Sequence, residues 1–375
     1  MPILFPNTTT TIKEVIKILS EASKRMPVLH LSPLDSIVDT KEKYIMTRLM
    51  SGRYSLKPNI TQQGMLFRGD SAYHKRFCSR LERSCVQNEK NNIRSVMVPI
   101  NVQRAEFELM IESFPLYQML RKGIELPNRK ILRIENPYGL AYAYDYPTSM
   151  VGLTSDLEVA AFYAVTEYNS VTGEYTPVNS GKGVLYSFEL RFPFGMTMGL
   201  STLGRQVFSR TQHQKTFLLE LPKGIDFGQA AVVTGFVFDH DAKQTKEIYS
   251  KFDGGKKLAP VDDFLFRKIK SLPKNRISYQ AFKRNLDDNP NDEQSENEEI
   301  LEQANLTIDK TLSPEFSKDD LEEVYNNIDD YWRNIISDIY IPEKDGDEVK
   351  DFLLNLSRDT RYMHYFDLKK FFHER

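Results

Sequence analysis

The clearest hydrophobic rhythm lies near the start of the chain. Across residues 11–25, "TIKEVIKILSEASKR", Ile12, Val15, Ile16 and Leu19 recur at helical spacing. Thr11 and Glu14 form a capping-box pattern there, so the stretch predicts an amphipathic helix. Residues 65–70, "MLFRGD", read as a buried strand that ends in Arg68, Gly69 and Asp70. Residues 103–121 predict a helix with Phe107, Met110, Ile111 and Phe114 on one face. A tyrosine-rich stretch then leads through Pro147 and Thr148 to a short apolar run, Thr154-Ser155-Asp156 and a further helix. Ser155 and Glu158 are spaced as a capping box for that helix, and Val159, Ala160, Phe162 and Tyr163 supply its buried face. The segments 183–190, 215–221 and 230–238 are apolar and β-branched and predict strands. Helices are expected at 242–252 and 261–271, at 317–338, and as two short pieces in the tail. Strands cluster in mid-chain with helices around them, the order of an α+β fold rather than alternating βαβ units.

Composition changes this picture at one place. Residues 284–299, "RNLDDNPNDEQSENEE", hold seven acidic residues and one aliphatic residue, which predicts a flexible insert with little to bury. Elsewhere the chain reads as ordinary globular protein, with 375 residues, 40% hydrophobic and 27% charged, enough for one elaborated domain or two. A net charge of −2 gives no global attraction to nucleic acid or anionic membrane. Two cysteines, Cys78 and Cys85, make no disulfide framework, and the histidines show no ligand spacing, so no metal is expected. The N-terminus lacks a basic leader region, and no apolar stretch approaches the roughly 18 residues of a membrane span. A cytoplasmic protein with no membrane partner is the expectation. Walker-type loops, GxGxxG and GxSxG are missing.

Four constellations carry candidate chemistry, each with two readings. Arg68 at a strand end needs an anion, either a carboxylate of the same chain or a ligand, and Gly69 would let a ligand approach the backbone. Thr154 and Ser155 either hold a sugar or cap the following helix. Gln212 and Gln214, with Arg210 upstream, stand at the mouth of a strand, where amides either bond ribose hydroxyls or simply begin an exposed strand. Lys75, Arg76, Arg80 and Arg83 either meet phosphates or form a solvated helix face.

Together these pieces resemble the FRG domain family, named for its Phe-Arg-Gly signature, here Phe67-Arg68-Gly69. Leu81-Glu82-Arg83 matches the family's Leu-x-Arg. "LAYAYDYPTSMVGLTSDLEVAAFYA", 140–164, is similar to the family's "LAQHYGLPTRLLDWTxxPxxALFFA", keeping Leu140, Ala141, Tyr144, Pro147, Thr148, Thr154, Ala161, Phe162 and Ala164. Ala143, Gly152 and Leu153 stand where the family has histidine, aspartate and tryptophan. "RTQHQKTF" keeps Arg210, Gln214 and Phe217 of an "RIxxQxGxF" element, and Phe366, Asp367 and Leu368 match the closing "LFPDLxG".

FRG domains are in turn distantly similar to ADP-ribosyltransferases. That resemblance implies a split antiparallel sheet core with flanking helices, and NAD or a related nucleotide as ligand. It implies a helical N-terminal extension over 1–59 and an FRG core over 60–222. A mainly helical insertion over 223–339 would carry a flexible acidic segment at 284–303, with the closing part at 340–375. Arg68 would clamp the dinucleotide, Thr154 or Ser155 would support the nicotinamide ribose, and Gln212 and Gln214 would take the positions of the transferase motif. Gln214 stands where the catalytic glutamate is expected, so the charge that stabilises the transition state is missing there. The implied activity is transfer of ADP-ribose to a protein or nucleic acid, in a bacterial toxin or phage-defence setting. The alternative is a non-catalytic FRG module that binds a protein partner or nucleic acid.

Overall fold

The computed structural model describes residues 10–25, 44–48, 54–58, 64–87, 93–114, 137–170, 172–189, 200–202, 216–221, 226–230, 232–259 and 264–326, with single positions or short pieces at 117–118, 121, 124–125, 131–133, 208, 210, 214 and 224. Gln212, the tail motif at 366–368 and the helices expected beyond 326 lie outside the described residues. The strands are β1 (Tyr44–Arg48), β2 (Tyr54–Pro58), β3 (Met65–Asp70), β4 (Ile124–Glu125), β5 (Ile131–Arg133), β6 (Met150–Thr154), β7 (Thr166–Asn169), β8 (Glu174–Pro177), β9 (Lys182–Glu189), β10 (Leu200–Thr202), β11 (Thr216–Glu220), β12 (Val233–Asp239), β13 (Arg276–Ser278) and β14 (Thr307–Asp309). The helices are α1 (Ile12–Arg25), α2 (Arg80–Gln87), α3 (Ile93–Glu112), α4 (Pro137–Ala143), α5 (Leu157–Ala164), α6 (Ala242–Lys251), α7 (Phe264–Ser271), α8 (Tyr279–Asp288), α9 (Gln294–Gln303) and α10 (Lys318–Asn326).

An antiparallel sheet of six strands in the order β10-β11-β6-β3-β9-β12 forms the centre. The fold is α+β, as the element order predicts. Alternation along β3 sends Met65 and Phe67 to one face and Leu66 to the other, and both faces are covered. On the first face lie α1 and α5, whose Ile12, Val15, Leu19, Ala160, Ala161 and Ala164 pack with Met65 and Phe67. The second face packs Leu66, Val151, Tyr186, Phe188 and Phe217 against Phe77 and Phe227. The capping box at the start of α1 is formed: Thr11 N donates to Glu14 Oε2 at 2.8 Å, and Glu14 N donates back to Thr11 Oγ1 at 3.4 Å.

Three expectations are corrected here. The segment 1–59 is not only helical, because β1 and β2 pair with each other and join β5 and β4 in a second sheet. The core does not end at 222, since β12 pairs with β9 over seven residues, Val233↔Phe188 to Asp239↔Lys182, and closes one edge of the central sheet. The acidic segment 284–303 is helical and packed. It forms the end of α8 and all of α9, which bury Phe282, Ile300 and Leu301 against Val98, Val102 and Ala105 of α3. Charges there have partners on α3: Arg94 pairs with Asp292 at 3.2 Å and Glu296 at 2.7 Å, and the segment's own Arg284 pairs with Glu112 at 2.7 Å.

Candidate functional site

The central sheet comes apart in its middle. β3 stays paired with β9 along its whole length, and β6 with β11 along its own, but β3 and β6 share a single pair, Phe67↔Thr154. Continued antiparallel pairing would set Arg68, Gly69 and Asp70 opposite Leu153, Gly152 and Val151. The strands diverge instead and leave a cleft of about 480 Å³. Backbone groups freed by the split need partners, and Arg68 supplies one. Its Nη1 donates to the Gly152 carbonyl at 3.1 Å and to the Tyr142 hydroxyl at 3.3 Å. A Cβ on Gly152 would lie 2.5 Å from that hydroxyl, so the small residue leaves room for the tyrosine.

The anion that meets Arg68 belongs to the chain. Its Nη2 donates to Asp70 Oδ1 at 2.7 Å and its Nε to Asp70 Oδ2 at 3.2 Å, a two-pronged pair between side chains only 13% and 15% exposed. Positions two apart on a strand point to the same face, which puts the pair together. Burial alone would make the guanidinium easier to deprotonate, but Asp70 and Tyr142 outweigh it, and the Arg68 pKa moves upward. The guanidinium also lies over the Phe77 ring, 5.7 Å from its centroid. All three nitrogens are engaged within the protein, which corrects the expectation of an Arg68 free to clamp a ligand anion. Gly69 lines the cleft, and its backbone is also tightly packed on the helix side. A Cβ there would sit 1.9 Å from the Ala160 carbonyl oxygen and 2.8 Å from the Ala164 Cβ, so the close neighbour that requires glycine is α5.

The hydroxyl and amide candidates do meet, and they meet each other. Thr154 Oγ1 donates to the Gln214 carbonyl at 3.1 Å and accepts from Asp156 N at 3.1 Å. Both Thr154 and Gln214 line the cleft; Ser155 does not. Asp156, not Ser155, caps α5 by accepting from Glu158 N at 3.0 Å. The Gln214 side chain is 8% exposed, with Nε2 donating to the Leu258 carbonyl at 3.3 Å and Oε1 accepting from Thr216 Oγ1 at 3.5 Å. An amide suits this position because it both donates and accepts, and a carboxylate would face the Leu258 carbonyl without a donor. Gln214→Glu is therefore expected to cost about 1–3 kcal/mol of stability, measured by urea unfolding; a glutamate variant as stable as wild type would show that the site readily takes a charge.

The basic stretch 74–83 divides. Arg80 and Arg83 reach the cleft, whereas Arg76 turns away to pair with Glu82 at 2.8 Å. Arg83 makes no side-chain hydrogen bond or ion pair among the described residues, and its charge disfavours protonation of nearby His74, after burial. Arg80 pairs with Asp145 at 3.0 Å and also donates to the Asp145 carbonyl at 3.2 Å. Asp145 has φ of 71°, the left-handed region that glycine enters freely. The FRG motif quoted above has glycine at this place. Burial pushes the Asp145 carboxyl up, opposed by Arg80, Arg210 and Lys270. Arg210, nearly fully buried, lies over the rings of Tyr144, Tyr168 and Phe266 at 5.5, 5.4 and 5.2 Å and donates to the Tyr168 hydroxyl at 3.2 Å.

The cleft lining also holds Asp145 from the turn after α4, Tyr168 of β7 and Tyr175 of β8, none of which sequence reasoning singled out. The signal available for Asp145 was its place at a motif glycine. Among the described residues no group of three metal-ligating side chains gathers, and no helix is long and apolar enough to cross a membrane. No family model, curated protein or solved structure matches this chain.

Proposed function

We propose that this chain is an FRG-type, ADP-ribosyltransferase-like protein whose cleft takes NAD or a related nucleotide. The observation that carries the reading is the split between β3 and β6, which opens a cleft lined by arginines and tyrosines at the place the resemblance implies. Aromatic rings suit a base or a nicotinamide, and cations suit phosphate. Among the described residues lining the cleft, Arg83 is a cation that can meet phosphate, whereas Arg68 is neutralised by Asp70. The reaction class is ADP-ribose transfer. The bond from nicotinamide to ribose breaks, nicotinamide leaves with the electron pair, and a nucleophile of a protein or nucleic acid takes the ribose carbon and releases its proton to solvent.

Gln214 favours a second reading, a non-catalytic module that binds a protein or nucleic acid. Its amide is used within the protein and brings no charge to the cleft. Titration calorimetry of the full chain with NAD, ATP and ADP-ribose, alongside labelled-NAD turnover in cell extract, separates the two. The transferase-like reading expects NAD binding at micromolar to millimolar levels. Binding with no turnover would move the case to the non-catalytic module, and no binding by any of the three would reject the nucleotide reading.

A further inference from the structure

We infer that Asp145 holds a ribose 2′-hydroxyl of the bound nucleotide, so that the cleft selects ribonucleotides over their 2′-deoxy counterparts. The assignment rests on the nucleotide reading above and deepens it.

Among the described residues, three carboxylates line the cleft: Asp70, Asp145 and Glu167. Asp70 gives both oxygens to Arg68. Glu167 is exposed on β7, where solvent competes for any hydroxyl it would bind. Asp145 differs from both. Arg80 takes Oδ1, a third of the side chain is open, and a carboxylate accepts about four hydrogen bonds. Two further groups fix its surroundings. Arg210 acts on it electrostatically from the aromatic cage, and the Tyr168 hydroxyl, which accepts from Arg210 at 3.2 Å, also interacts with Asp145. A carboxylate beside arginines matches a ribonucleotide, whose hydroxyls donate to the acid while its phosphates meet the cations.

The backbone makes the same point. At φ of 71° a glycine would fold without strain, yet the chain carries an aspartate whose side chain lines the cleft. The bland alternative is that Asp145 only ties α2 to the turn before β6 through Arg80.

The test uses the full chain, with Asp145→Asn and Asp145→Gly beside wild type. Asparagine keeps an oxygen for Arg80, and glycine relieves the left-handed backbone. The ligands are NAD and two NAD analogues, each lacking the 2′-hydroxyl of one ribose. Wild type is expected to bind one of the analogues about tenfold or more weakly than NAD, the size of a hydrogen bond to a charged acceptor. Both variants should bind NAD as weakly as wild type binds that analogue, and should bind NAD and the analogue alike. Asp145→Gly should melt no lower than wild type. Variants that bind NAD as wild type does, or an Asp145→Gly protein that melts well below wild type with binding intact, would overturn the assignment and leave a structural tie. A wild type that binds NAD but treats both analogues equally would overturn it too, leaving the nucleotide reading standing. A wild type that binds no NAD would remove both together.

Discussion

Arg68→Ala will lower the melting temperature sharply, even with no ligand present. The substitution strips Asp70 of its partner at a position only 15% exposed, and leaves the Gly152 carbonyl without its donor at the sheet split. Breaking one partner of a buried pair costs about 3–5 kcal/mol, because the remaining charge stays in a poor solvent. At about 2–4 °C per kcal/mol for a chain of this order of size, the expected fall is roughly 6–20 °C. The double variant Arg68→Ala/Asp70→Ala should recover part of the loss, since it leaves no unpaired charge. Scanning calorimetry of the two variants beside wild type reads this directly. An Arg68→Ala protein that melts with wild type but fails to bind nucleotide would restore the ligand-anion role and mean that the Asp70 contact contributes little.

That pair was within reach of the sequence. Arg68 and Asp70 are two apart in a segment recognised as a strand, and a period of two puts their side chains on one face. The motif points the arginine at a ligand, whereas the acid two residues on satisfies it within the strand. The central strands were legible for the same reason that α1 was. Buried apolar periodicity is local, and a capping box declares itself within four residues. The split itself was legible only through resemblance, because a single shared pair between β3 and β6 is a property of register that no local pattern encodes. Thr154, Arg210 and Gln214 do gather at the cleft. Thr154 bonds the Gln214 carbonyl, Arg210 bonds the Tyr168 hydroxyl, and the Gln214 amide bonds Leu258, a partner 44 residues away that sequence spacing does not predict. The aromatic cage around Arg210 is further out of reach, since it joins Tyr144, Tyr168 and Phe266 from three separate segments.

The acidic segment shows how a composition window misleads, and it carries the second large effect. Residues 284–299 look unable to bury anything, but Phe282 lies just before the window and Ile300 and Leu301 just after it, where they are buried against α3. Within the window Asn285 and Asn297 are buried too, Asn297 accepting from Arg94 and donating to Asp292. The charges therefore form the outer face of two amphipathic helices. Deleting 284–303 removes Leu286, Ile300 and Leu301 from the contact with α3 and exposes Val98, Val102 and Ala105. It also removes Arg284, the partner of Glu108 and Glu112. At about 1.5–3 kcal/mol for each large apolar side chain, the loss is on the order of 5–9 kcal/mol before the ion pairs are counted. This approaches the whole stability of an ordinary domain, so the deleted protein should be insoluble or lose its cooperative transition. Leu301→Ala is the gentler check. A fully buried leucine cut to alanine costs about 2–5 kcal/mol, read as a lower urea midpoint with an unchanged slope. A deletion variant that stays soluble and unfolds at the wild-type midpoint would mean that α8 and α9 add nothing to the fold. The acidic run would then be the solvated insert that its composition alone describes.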